Sequence, residues 1–403
     1  MTIYNKGLFS LCTALIVFTL LIIGCENPGS VGSEYVNKPK LTFDTLNIEQ
    51  AEALSYNSYS GRLGFIPIGQ YSDALFGDIV TKGLFKPNRT PPIPDSVDLD
   101  ESFALKLKLN IDSLEVYGDT LSTADFTVHE ITSNWRGNAL TIDDEITVGE
   151  QVGQFSLAPG QREVTIDLAE TWVDEYKSWY YSDASDPDSL YNYEFKGLAL
   201  VSDQANSRIS FARSDGSSFI MINGVQSDTT DTIGVSLQDY GFVMDRGGAV
   251  NSPNTFPIHT TLEGMYKLTM PVDLLRQEIQ TSNIIKADVI VYEVSDELEN
   301  TLPANHQRLG LSVLNLDVIE TLDPEYEYQF GQVDFRGGPN EDGNSFTINI
   351  TNYVNNVLYG SEEREELILG AGSASGAIRS SLFYGTTASE DVRPKIIITS
   401  LED

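Results

Sequence analysis

Two cysteines and three histidines in 403 residues leave little room for several kinds of chemistry. A disulfide framework needs many paired Cys, and a zinc centre needs clustered Cys and His, so both are excluded. Basic residues are scarce as well: 25 Lys+Arg stand against 59 Asp+Glu, a formal net charge of −34. A surface of that sign repels polyphosphate, which excludes an electrostatic nucleic-acid binder, and it carries no polybasic patch for anionic lipid. Neither a Gly-x-Ser-x-Gly elbow nor a Gly-Lys-Ser/Thr phosphate loop occurs. What the chain does have is a hydrophobic share of 41% and 10% aromatics, enough for packed cores.

Long apolar runs are also rare, and the one that exists is N-terminal. Lys6 is the lone charge before Glu26, and Leu8 to Ile23 is almost unbroken apolar sequence. That is the layout of an export signal, or of a short uncleaved anchor. Its end, Leu21-Ile22-Ile23-Gly24-Cys25, resembles the lipobox of bacterial lipoproteins. The resemblance implies removal of residues 1–24 and lipidation of Cys25, with several acyl chains holding the protein to a membrane. Cys12 would leave with the signal. Residues 25–39, rich in Gly, Ser, Pro and Asn, read as a flexible tether. Glu26 rather than Asp after the cysteine favours the outer membrane, surface-facing or periplasmic.

From Leu41 onward short alternating apolar runs are separated by Gly, Asp, Asn and Ser. Leu105-Lys106-Leu107-Lys108-Leu109-Asn110-Ile111 alternates strictly, the mark of a strand with one buried face. The halves offer similar runs in the same order, most clearly Val164-Thr165-Ile166-Asp167-Leu168 against Phe346-Thr347-Ile348-Asn349-Ile350. After this pair both halves turn briefly helical, through Trp172, Tyr176, Trp179 and Tyr180, and through Tyr353, Val354, Val357 and Leu358. The expected architecture is all-β: two tandem antiparallel β-sandwich (jelly-roll-like) domains, each with a short helix, after a cleaved lipoprotein signal. The boundaries read 40–225 for the first domain, 226–263 for a linker or leading strand, and 264–403 for the second.

The element order, the Thr-Ile-Asp/Asn strand leading into a helix, and the closing Arg393-Pro394-Lys395-Ile396-Ile397-Ile398 resemble the jelly-roll modules called DNRLRE domains. The stretch Gly69-Gln70-Tyr71-Ser72-Asp73-Ala74-Leu75-Phe76-Gly77 is similar to a motif in uncharacterised Bacteroidota lipoproteins. The first resemblance implies a cell-surface protein and, for some members, carbohydrate binding.

No catalytic constellation is legible. His129 falls inside a strand without a second histidine to support it, and His259 and His306 fall in loops beside Pro257 and Pro303. The protein is therefore read as a non-enzyme. A hydrolase working with carboxylates alone stays as a third reading, behind glycan binding and behind an envelope scaffold for a protein partner. Residues 177–194 interrupt the first half where the second has a short connection. They hold five aromatics, Trp179, Tyr180, Tyr181, Tyr191 and Tyr193, and four acids. Aromatic faces stack on sugars and carboxylates accept sugar hydroxyls, so this is the candidate ligand site; interdomain packing is the alternative. Asp183, Asp186 and Asp188 supply oxygen ligands for a candidate structural Ca²⁺.

Overall fold

The computed structural model describes residues 40–402 except 56–57, 96, 98, 100–101, 224–230, 249–253, 262–263, 280–282, 295–313, 318–334, 342 and 372–374. Cys25, the signal and the tether lie outside the described residues, as do His306 and most of the strand expected at 309–314.

The chain is all-β, arranged as two sandwiches. The first is built on β3 (Phe65–Asp73), β4 (Gly77–Pro87), β5 (Ala104–Gly118), β6 (Ala124–Ile131), β7 (Val148–Leu157), β8 (Glu163–Asp167), β9 (Leu198–Ser202) and β10 (Arg208–Asn223), ordered β7-β6-β9-β4-β3-β10-β5-β8. Neighbouring strands in this order run antiparallel. In β5 the alternation works as expected: Leu105, Leu107, Leu109 and Ile111 are buried. Between them Lys106 and Lys108 reach Asp167 at 2.7 Å and Glu163 at 2.6 Å on β8. Leu107 of β5 and Val128 of β6 share one core although their strands lie near opposite ends of the strand order. The sheet therefore doubles back on itself, which is what makes it a sandwich.

The second sandwich uses β14 (Met265–Thr269), β15 (Asn283–Tyr292), β16 (Leu314–Asp317), β17 (Phe335–Pro339), β18 (Ser345–Asn349), β19 (Glu366–Ala371) and β21 (Lys395–Glu402). A small sheet of β13 (Thr255–His259) and β20 (Ser380–Tyr384) packs into the same core. Helix α1 (Glu170–Tyr180) buries Trp172, Val173 and Tyr176; α4 (Thr351–Tyr359) buries Tyr353, Val354 and Val357 at the matching place. Two further helices were not expected: α2 (Pro187–Glu194) inside the insertion, and α3 (Val272–Glu278), whose Arg276 donates to the Val357 carbonyl at the end of α4.

The expected boundaries need correction. β1 (Lys40–Asn47) pairs with β21 and β2 (Gln50–Leu54) with β14, so the first described strands belong to the second sandwich. β11 (Asp231–Val235) pairs with β10 and β12 (Leu237–Gly247) with β4, so residues 231–247 of the supposed linker belong to the first. A period of two tells which face of a strand is buried and says nothing about its neighbour.

Between the sandwiches, the β3–β4 turn inserts Phe76 against Val294 and Leu382. Its ring lies 5.6 Å, edge-on, from that of His259. His259 is thus a buried strand residue, bonded through Nδ1 to Ser380 Oγ at 2.7 Å, and not a loop residue. Arg379 and Glu115 add a 2.7 Å ion pair across the same seam.

Candidate functional site

The aromatic insertion separates into an inner and an outer set. Tyr191 is 1% exposed, stacks on Phe195 at 5.0 Å, and meets the edge of Trp179 at 6.2 Å. Trp179 and Tyr180 pack against the same core, Tyr180 edge-on to Phe103. A ring closed on all sides has no face for a ligand, so Tyr191 leaves the candidate set. Tyr181 and Tyr193, 44% and 57% exposed, remain at the surface.

Strand β4 and the residues just after it hold the insertion down. Lys86 Nζ donates to the carbonyls of Tyr191 and Asn192, each at 3.2 Å, and lies over the Tyr191 ring. The Tyr191 hydroxyl donates to the Pro87 carbonyl at 2.7 Å, and that of Tyr176 to the Asn88 carbonyl at 2.8 Å. Arg89 donates to the Trp179 carbonyl and pairs with Asp188 at 2.6 Å. Sequence reading missed Lys86 and Arg89, because nothing local marks a lysine or arginine that will be buried by a segment about a hundred residues away.

The three aspartates do not converge. Asp188 belongs to Arg89, Asp186 caps α2 by accepting from the Ser189 amide, and Asp183 is exposed. Among the described residues no group of three His, Cys, Asp or Glu side chains is placed to hold a metal ion. The Ca²⁺ expectation therefore loses its ligand set: Asp188 is taken by Arg89 and Asp186 by the start of α2, which leaves Asp183 as an exposed single acid.

Lys86 carries a prediction. Burial lowers its amine to about 8, with Asp239 pulling the other way. The unfolded chain keeps that proton up to the ordinary 10.5 while the folded one gives it up above about 8, so stability rises with pH across this window. Lys86→Met takes a donor from the Tyr191 and Asn192 carbonyls, the first of which keeps the Phe195 amide, and should cost about 1–3 kcal/mol at neutral pH. In urea titrations, the gap between wild type and variant should widen from about pH 8 to pH 10. A gap that stays flat would mean the amine is not desolvated.

Glu194, next in the chain to Tyr193, lines a cleft of about 230 Å³. One wall is the end of β6 with Glu130, Ile131 and Thr132; the other is Glu194 to Gly197, with Trp172 and Glu175 of α1 between them. The Glu175 carboxyl is raised above the usual range, first by desolvation and then by the charge of Glu130. Beside this cleft Arg136 stands 4.6 Å over the Tyr193 ring, and Trp135 Nε1 donates to the Lys196 carbonyl at 2.7 Å. The site thus combines an exposed, oriented ring with several carboxylates and a hydroxyl, all within one end of the first sandwich. At the matching end of the second sandwich lies a wider hollow of about 470 Å³ lined by Asn356 and residues 360–364. Among the described residues it has no aromatic wall, and its Arg364 is held by Glu362 at 2.6 Å. His129 stays a strand residue, tied by its two ring nitrogens to Gly149 O and Thr127 Oγ1, each at 3.1 Å.

These features define an all-β protein of two sandwiches with an acidic cleft on the first. No protein-family model matches the chain, and no curated protein does. Among solved structures it is similar to a crystal structure of a "putative secreted protein" from Parabacteroides distasonis ATCC 8503, at 8% identity and a TM-score of 0.22, over 86% of this chain and 99% of that one. A score that low carries no argument about fold or function. Among the described residues no helix is long and apolar enough to cross a membrane.

Proposed function

We propose that this is an exported cell-envelope protein, anchored through lipid on Cys25, that binds a saccharide at the cleft beside Tyr193. The observation that carries the reading is the exposed Tyr193 ring, steadied by Arg136, one residue from Glu194 of a cleft that also offers Glu130, Glu175 and Thr132. Sugar rings present C–H faces that stack on tyrosine and hydroxyls that donate to carboxylates. A cleft of this volume suits one or two sugar units rather than an extended buried chain. The resemblance to DNRLRE modules points the same way, and the net charge of −34 favours a neutral over an acidic glycan.

A glycan array on the full chain tests the proposal. Wild type should retain a subset of neutral glycans, and Tyr193→Ala should lose at least tenfold in affinity with unchanged melting. An unaltered profile in the variant would refute the site. Cys25→Ala should abolish palmitate labelling and release the protein from membranes; a labelled variant would refute the anchor.

One observation favours a second reading. Glu175, with its carboxyl raised beside Glu130, has the character of a general acid paired with a carboxylate, as in a glycoside hydrolase. Bound glycans recovered shortened from the array incubation would select it.

A further inference from the structure

Taken strand by strand, the pairing of one sandwich recurs in the other. β5 lies between β8 and the second stretch of β10, as β15 lies between β18 and β21. β9 lies between β6 and β4, as β19 lies between β16 and β14. β6 also takes β7 as β16 takes β17, and the first stretch of β10 takes β3 as β20 takes β13. Two places are left in each sandwich, outside β10 and β4 in the first and outside β21 and β14 in the second. β11 and β12 fill the first two, and β1 and β2 the others.

Registers agree as well. Leu237 at the start of β12 faces Pro87 at the end of β4, and Gln50 at the start of β2 faces Thr269 at the end of β14. Chain order says the opposite of this placement. β1 and β2 immediately precede β3, and β11 and β12 immediately precede β13, yet each strand pair completes the other sandwich.

We infer that the protein is two copies of one module that have exchanged their leading strand pairs, so that the segment next to the N-terminal tether completes the C-terminal module. Residues 65–247 then form a module whose strands are contiguous in the chain. Residues 255–402 form one that is open until residues 40–54 arrive. The gap they fill is a core gap: Leu46 and Ile48 pack with Ile396 and Ile398. Lys40 faces Glu402, so the first described strand is completed by the last. During synthesis and export, β1 and β2 wait for the C-terminus, and the second module closes last. Tension on a tether ahead of Lys40 falls on the second module, while the cleft-bearing first module is held to it by the chain crossings and by the seam of Phe76 and Arg379.

The test is a disulfide in the full chain. Thr42 Oγ1 and Ser400 Oγ are 2.8 Å apart on β1 and β21, so T42C/S400C is placed to close a bond between strands at ordinary Cα spacing. A protease site introduced within residues 249–253 then cuts the chain between the sandwiches. After cutting, the oxidised variant should run as one band near full length on a denaturing gel without reductant, and as two bands with it. T42C/N223C, the pair an unexchanged tandem would bring together by the same register, lies wholly on the N-terminal side of the cut and is read by thiol labelling of the denatured, unreduced chain, where both cysteines should stay open to maleimide. The inference is overturned if T42C/S400C separates without reductant, if it links into dimers at high dilution, or if T42C/N223C links instead.

Discussion

Replacing Tyr191 by Ala should destabilise the first sandwich by about 3–5 kcal/mol, the range for truncating a fully buried aromatic. The ring is 1% exposed, is stacked on Phe195, and gives its hydroxyl to the Pro87 carbonyl, so its loss leaves both a cavity and an orphaned acceptor. Burial also pushes the phenol far above its ordinary pKa, which marks the same dry environment. Tyr193→Ala, two residues on, should stay within about 0.5 kcal/mol of wild type, as for a surface ring. Urea unfolding of the two variants side by side decides it. A loss below about 1 kcal/mol for Tyr191→Ala would return that residue to the surface set.

Phe76→Ala is expected to have a comparable cost, about 3–5 kcal/mol, located at the seam between the sandwiches. Asp73 shapes the turn that presents Phe76: one carboxylate oxygen accepts from the Leu75 and Phe76 amides at 2.8 and 2.9 Å. The other accepts from the Tyr117 hydroxyl at 2.6 Å, and Gly77 takes φ 83° to close the turn. The Ser72 to Gly77 part of the motif noted in the sequence is therefore a plug, with its conformation set by one aspartate. Without the ring, the two sandwiches share less buried surface, and differential scanning calorimetry should resolve two transitions where wild type gives more nearly one. Unchanged calorimetric traces would show that Phe76 does not couple the modules.

Much of the fold was legible because its signals are local. Alternation in Leu105 to Ile111 set the buried face of β5, and the spacing of Trp172 and Tyr176 set that of α1. The matched Thr-Ile-Asp and Thr-Ile-Asn strands do stand at equivalent places, with Ile166 opposite Leu107 and Ile348 opposite Val289. The candidate site was legible only as a neighbourhood. Composition singled out residues 177–194, but whether a tyrosine there is core or rim depends on Lys86, Pro87 and Arg89, far away in the chain. Glu130, Glu175 and Arg136 went unnoticed because an acid or a base next to a strand or on a helix has no local mark of the cleft it will line.

By itself, then, the sequence determined the faces of strands such as β5, the two helical turns of α1 and α4 and the all-β class, since each follows from side-chain period within a few residues. Tertiary structure alone decided which sandwich β1, β2, β11 and β12 complete, because backbone pairing is the same hydrogen bond whatever strand offers it and Thr42 meets Ser400 across 358 residues. It also decided that Tyr191 is sealed and Tyr193 exposed. Both are tyrosines of one short helix, and only the surface each is pressed against tells them apart.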